Sequence, residues 1–515
     1  MSCINLYIHA ALRAAILLLT VFGLLGTSGG DACAQQGDPP ELEQVTKLRT
    51  AYRRAIVELA GQCRNAGRTD LATETLAVIG GSETAAAASS TVRPVPMEIV
   101  FPKLPREIGP PPVPEDAPRS TAQWHERFWS IRSTYASHLW ELAKKLVRVR
   151  PSLAYSLGVE AVAANPDNPD ARRLLGYQRF RDYWCTPDEV RHIQAGETLH
   201  PRFGWIPADD VERYERGERF NSGRWISAQQ DLQRHADIRR GRKLRTEHYE
   251  ITSTADLETT VQLGRRLETL YRLWNQLFIR YYASDTVVAG LFQGRALATQ
   301  RKKLEVICFR TKSQYVAQLQ AAEPQIAMSS GYYIGKLRKF FLFAQDDTPG
   351  AESPELDPRN IYHEATHQLF HAMKPTTPNP GVGRNFWIVE GAAMLMESVR
   401  EESDRYVLGD INDARFRAAH YRRLSEDAFH MPLQQLVALG MNDLHAHPRI
   451  ASVYSEMAGW AIFFTFAHDG RYRDAMVEYI SAVYNRRDRV DTLISLTGRT
   501  YEELEAEYVR FLRGE

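Results

Sequence analysis

The chain has 515 residues, 44% of them apolar, which is material for two or three cores rather than one. Its 64 basic and 63 acidic side chains nearly cancel, to a formal charge of +1. That balance gives no electrostatic footprint for nucleic acid or an anionic membrane, and basic runs such as Arg239-Arg240-Gly241-Arg242-Lys243 are too short to supply one.

Residues 1–34 have the layout of an export signal. Arg13 flanks an apolar run over 14–25, shorter than the ~20 residues a membrane span needs. Ala32-Cys33-Ala34 fits a small-residue cleavage site that leaves Gln35 first. Cys33 would suit a lipoprotein, but Gly30-Asp31-Ala32 lacks the expected upstream Leu. With no second spanning run, the mature chain is expected to be soluble in the periplasm or outside the cell. Cys63, Cys185 and Cys308 then remain, an odd set without C-x-x-C spacing, so neither a disulfide framework nor a structural zinc site is expected. Cys308, in an apolar strand, reads as a small buried hydrophobe.

Residues 35–79 form a short helical segment, with Val45, Leu48, Tyr52, Ile56 and Leu59 on one stripe and a second helix over 71–79. Residues 80–119 are rich in Ala, Ser and Pro, end in Gly109-Pro110-Pro111-Pro112-Val113-Pro114, and read as a semi-extended linker. Residues 120–244 read as a helical region, opening with antiparallel helices through Leu139, Leu142 and Leu146 and then 153–163. Asn165-Pro166-Asp167-Asn168-Pro169 resembles a boundary between tetratricopeptide-like repeats, but no period of about 34 residues supports an array. Trp184, Trp205 and Trp225 follow at spacings of 21 and 20, each before a turn and a polar helix start. Such tryptophans more often form the cores of short modules than an array that binds glycans or peptides.

From 245 the texture becomes α+β. Strands are expected over 248–252, 304–309, 332–334 and 340–343, with a helix through Leu257, Val261, Leu267, Leu270, Trp274 and Leu277 and a short one over 315–319. The rest is helical, one helix ending at His468-Asp469-Gly470 and the last opening on the capping box Thr500-Tyr501-Glu502-Glu503.

The chemistry is proposed by His363-Glu364-Ala365-Thr366-His367, an H-E-x-x-H pentad. Ile361, Ala365, Leu369 and Ala372 give helical spacing, Asp357-Pro358 reads as an N-cap and first turn, and Lys374-Pro375 as a stop. On a helix the two His project from one face and can grip Zn²⁺ at about 2.0–2.1 Å, with Glu364 beside them as general base toward water. A catalytic zinc needs a third protein ligand. Beyond a Pro/Asn/Gly loop over 375–384, an apolar helix over 386–397 carries Glu390, a lone carboxylate that needs a partner or a metal. The small Gly391, Ala392 and Ala393 would let this helix pack close to the first. Plainer readings are that His363 and His367 are satisfied core histidines, and that Glu390 pairs with Arg384 or Arg400. Glu397, two turns on, is a rival ligand or a supporting group. His371 lies about 12 Å along the helix from His363, too far to share its ion.

The pentad, followed by Trp387, Glu390, Gly391 and Ala393 in a W-x-x-E-G-x-A setting, resembles the gluzincin metallopeptidases, most of all the bacterial peptidase MA-like proteins. The resemblance spans residues 245–515 and is strongest over 360–400. It implies His363, His367 and Glu390 as Zn²⁺ ligands, Glu364 as base and a peptide or protein as substrate. It also implies a two-lobed zincin-like domain, a small sheet with the metal helix and a helical C-terminal lobe. Aminopeptidase-type members use a downstream Tyr to stabilise the oxyanion, and Tyr454 lies at a comparable distance, with His445 and His447 as alternative donors. The metzincin third His is absent, since Phe370 stands where its Gly would be and Met373 where its His would be. No G-x-M-E-N exopeptidase signature occurs. Zincins hold substrate as a strand added to a sheet edge, and 332–343 would supply that edge or else an internal strand. The rival expectation is a non-catalytic extracellular binding or scaffold protein that retains a zincin-like fold.

Overall fold

The computed structural model describes residues 40–79, 98–110, 112–295, 302–347, 356–374, 376–377, 379–410, 412–425 and 429–514. The expected export signal and most of the first half of the expected linker lie outside them.

At the N-terminal end, helices Pro40–Asn65 and Thr69–Ala77 pack on Arg119–Leu146, which pairs with Pro151–Ala164. The stripe read from sequence explains the contact. Val45, Ile56 and Leu59 are buried, and Tyr52 stacks on Tyr135 with ring centroids 3.9 Å apart.

The stretch expected to be a linker is in part a strand. β1 (Ile99–Pro102) runs antiparallel to β14 (Arg405–Leu408), in register from Ile99 opposite Leu408 to Pro102 opposite Arg405. β14 also pairs with the two-residue β13 (Arg400–Glu401). Lys103 reinforces the join through Glu401 at 2.8 Å. A proline is tolerated there because β1 is an edge strand.

The region around the three tryptophans is not simply helical. It holds three hairpins, β2 (Gln178–Phe180) with β3 (Tyr183–Cys185), β4 (Glu197–His200) with β5 (Gly204–Pro207), and β6 (Glu218–Asn221) with β7 (Arg224–Ser227). Each leads into a short helix. Thr186 and Ser227 form full capping boxes at the first and third of these. Each Trp sits in the second strand of its hairpin, and Trp184 is fully enclosed. The second and third modules lean on each other through Tyr214, 5.5 Å from both Phe203 and Trp225. Trp184 is thus a module core, whereas Trp205 and Trp225 are half-buried.

A five-stranded sheet follows: β8 (Arg242–Arg245), β9 (Tyr249–Ser253), β10 (Leu304–Thr311), β11 (Gly331–Ile334) and β12 (Lys339–Gln345), in the order β11-β12-β10-β9-β8. β9, β10 and β12 are parallel, and β8 and β11 are antiparallel edges. The fold is therefore mixed α+β. Helix Leu257–Leu277 packs on this sheet, burying Val261, Leu267, Leu270 and Trp274. Cys63, Cys185 and Cys308 are buried free thiols.

Two helices, Pro358–Met373 and Phe386–Met396, pack against each other beside the sheet. Behind them runs Ile450–Gly470, long and apolar enough to cross a membrane but with 89% of its apolar window buried in the core. Gly391 makes its close approach to this third helix rather than to the first: a Cβ there would lie 3.0 Å from the Met457 carbonyl oxygen, so any larger residue would push the two helices apart.

Candidate metal centre

Helix Pro358–Met373 starts as its sequence predicts. The Asp357 side chain caps it by accepting from the Arg359 N–H at 3.0 Å, and Pro358 fills the first turn. Ile361, Ala365 and Leu369 face the core, and Phe370 is wedged among Trp274, Phe278 and Tyr281 at centroid distances of 5.0, 5.0 and 4.9 Å. This fixes the rotation of the helix and turns His363 and His367 toward the second helix.

That helix begins from an unusual residue. Asn385 is fully buried with φ of 59°, a left-handed conformation that Asn tolerates better than most side chains. Its N–H donates to the Val437 carbonyl, its amide donates to Asp488 at 2.7 Å, and its side-chain oxygen accepts from the Tyr479 hydroxyl. The sharp entry delivers a helix that is buried throughout, with Glu390 facing the two histidines.

The three polar groups converge. His363 Nε2 is 3.3 Å from His367 Nε2 and 3.6 Å from Glu390 Oε2, and His367 Nε2 is 3.5 Å from Glu390 Oε1. A charge-assisted hydrogen bond would close to about 2.7–2.9 Å. Tetrahedral ligands on one Zn²⁺ at about 2.0–2.1 Å stand about 3.4 Å from one another. The observed spacings are those of three ligand atoms that could hold one metal ion between them. Among the described residues this is the one His, Cys, Asp and Glu group with such convergence. The arginine readings for Glu390 do not hold, because Arg384 is turned to Asp488 and Arg400 to Asp410 and Glu98.

Glu397 has a different place. Its Oε1 lies 2.8 Å from His363 Nδ1, on the side of the ring away from the cluster. An ionised carboxylate only accepts, so Nδ1 carries a proton and Nε2 is the nitrogen turned to the cluster. Arg415 holds Glu397 with two bonds of 3.1 and 3.2 Å, and Arg359 adds a third at 3.4 Å. Burial alone would raise the Glu397 pKa, but His363 and Arg415 outweigh it and hold it down at about 2. Burial likewise opposes charge on His363, and Glu390 and Glu397 overcome it and raise its pKa. His367 has less compensation, and burial lowers its pKa to about 3, which keeps it neutral.

Glu364 is 4% exposed and accepts the Tyr333 N–H of edge strand β11 at 2.9 Å. Burial raises its pKa. His371 stays outside the cluster. Its Nδ1 bonds the His367 carbonyl at 3.0 Å, and its ring lies 5.2 Å from those of both Tyr333 and Tyr484.

The candidate oxyanion donors separate. Tyr454 is 2% exposed in the main core. The pairings of Trp387 with Phe464 and of Gly391 with Met457 set its helix antiparallel to Phe386–Met396, which leaves Tyr454 level with the C-terminal turn, past Glu390. His445, ending the short helix Met441–His445, is exposed and meets the Phe386 ring edge-on at 5.7 Å, one turn before Glu390. Partial burial of its imidazole lowers its pKa while the Glu390 charge works to raise it, so His445 is within reach of the cluster's field. His447 serves its own turn by accepting the Arg449 N–H at 3.1 Å. The sequence reading also missed Tyr333, Tyr484, Arg359 and Arg415 around the site, because none carries a local motif.

No protein-family model matches this chain, and no curated protein matches it.

Proposed function

We propose that this chain is an exported zinc-dependent hydrolase of peptide bonds, gluzincin-like, acting on peptide or protein substrates. The supporting observation is the set of 3.3, 3.5 and 3.6 Å spacings among His363, His367 and Glu390. The five-stranded sheet and the C-terminal helices would then be the two lobes of a zincin-like cleft. Bound Zn²⁺ would acidify water toward a pKa of about 7 and polarise the substrate carbonyl. His363 and His367 would hold the ion through Nε2, with Glu397 keeping the His363 proton on Nδ1. Glu364, held by the Tyr333 N–H, takes the proton from the attacking water and passes it to the leaving amine. Of the candidate donors toward the developing oxyanion, His445 is exposed and meets Phe386 one turn before Glu390, whereas Tyr454 is buried in the core, which favours His445. β11 is an edge strand, and an extended substrate laid beside it would present its carbonyl near Glu364.

The test is zinc content together with peptide hydrolysis. About one zinc per chain is expected. Glu364→Gln should keep the metal and lose about 10²–10⁴-fold in rate. A folded sample that takes up no zinc would overturn the metal site. Stoichiometric zinc with no hydrolysis across a peptide library would favour the non-catalytic scaffold.

A further inference from the structure

The groups around His363 form a chain that reaches into a third helix. Asp413 is the N-cap of helix Ala414–Leu424. One of its oxygens accepts the Arg415 N–H at 2.8 Å and the other accepts from Arg359 Nη1 at 3.0 Å. Arg359 belongs to the first turn of the helix that carries both histidines. Arg415, two residues beyond the cap, forks onto Glu397 through Nε and Nη2. Glu397 in turn accepts from His363 Nδ1. The side chains of Glu397 and Asp413 are each only 7% exposed, so water cannot substitute freely for these partners.

The geometry assigns Arg415 as a positioning residue for the metal centre, setting zinc affinity through Glu397 and the orientation of His363. This rests on the zinc reading above. A bidentate arginine fixes both the position and the rotation of a carboxylate, which a single bond does not. With Arg415 in place, Oε1 is aimed at Nδ1 and Oε2 is taken up by Arg415 and Arg359. Without it Glu397 would be free to turn toward Arg359, and His363 would lose the acceptor that fixes its ring and its tautomer. Because Ala414–Leu424 packs on Ile450–Gly470 and on the last helix, Tyr501–Arg513, the docking of the C-terminal helices would be linked to metal affinity.

The test measures zinc dissociation constants by competition with a chromogenic chelator at fixed pH. The proteins are the full chain and the variants Arg415→Met, Arg415→Lys, Glu397→Gln and the double variant. Removing a partner of this kind weakens metal binding by about 10–100-fold. Arg415→Met is expected to show that loss, Arg415→Lys a smaller one, and the double variant no more than Glu397→Gln alone. This non-additivity separates action through Glu397 from general damage, which would add. Far-UV circular dichroism of the metal-free proteins checks folding. If Arg415→Met does not fold, the comparison of Arg415→Lys with Glu397→Gln carries the same test. An unchanged zinc constant in folded Arg415→Met, or full additivity in the double variant, would overturn the assignment. Failure of the unaltered chain to bind zinc would instead overturn the metal reading.

Discussion

Glu456 provides a quantitative check on the helical lobe. It lies on helix Ile450–Gly470, fully buried, and both carboxylate oxygens are enclosed without a hydrogen-bond partner. The cation that acts on it most, Arg423, is committed to Glu505 at 3.1 Å. Burial therefore dominates and pushes the Glu456 pKa from 4.5 up to about 8. At about 1.36 kcal/mol per unit, that rise of about 3.5 units is worth about 5 kcal/mol. The folded state holds a proton that the unfolded state releases above its own pKa, so stability falls as pH rises between those values. It is highest below about pH 4.5, and the full loss is reached above about pH 8. Glu456→Gln removes the titration and leaves an isosteric neutral side chain. Urea unfolding of both proteins with chelator present, from pH 5 to pH 9, should show the variant gaining on the parent by about 1.4 kcal/mol per pH unit and then levelling off. Parallel stability curves would mean that Glu456 is solvated or paired in solution and would refute the reasoning.

Other consequences follow from the site. His445→Ala should lower kcat with little change in KM, while Tyr454→Phe should leave kcat unchanged; the reverse pattern would assign the oxyanion to Tyr454. Gly391→Ala places a methyl 3.0 Å from the Met457 carbonyl and 3.2 Å from the Ala461 methyl, and overpacking of this kind destabilises by about 1–3 kcal/mol, read by urea unfolding. The same shift moves Glu390, so zinc affinity should fall with it. Zinc at about 100 times its dissociation constant should stabilise the chain by about 2.7 kcal/mol, and Glu390→Ala should abolish that gain.

The parts of the fold legible in sequence are those governed by local rules. The Asp357 cap, the helical stripe through Ile361 and Leu369, and the strands over 304–309 and 340–343 all follow from spacing within a few residues. Glu390 was legible for another reason: a carboxylate in an apolar run needs compensation, wherever that comes from. What could not be read depends on partners far along the chain. β1 pairs with a strand some three hundred residues later, and its own four residues, bounded by prolines, look like linker. The hairpins were hidden because three- and four-residue strands leave too little alternation to detect, and only their tryptophans repeat. Arg415 and Arg359 look like ordinary surface charges until the fold lays them on Glu397. His445 reads as a loop histidine until Phe386 is placed beneath it.

The same logic bears on whether the centre acts or is only retained. Glu364 is almost wholly buried, and burial raises its pKa, so its ionised form is destabilised by the fold. A metal-free protein that needed only the scaffold would be more stable with an uncharged residue there, since a buried carboxylate with no cation to compensate it is disfavoured. Glutamine can still accept the Tyr333 N–H through its amide oxygen, so Glu364→Gln removes the charge and keeps the bond. In metal-free protein that variant is expected to be the more stable, with a margin that widens as pH rises above the unfolded carboxylate pKa, because a raised folded pKa loses stability in that direction. A variant with higher stability, unchanged zinc content and no hydrolysis is what a catalytic base held against its own folding energy would give. Equal stability at every pH would show that Glu364 is compensated in the resting fold, and burial would then no longer argue for catalysis over scaffold.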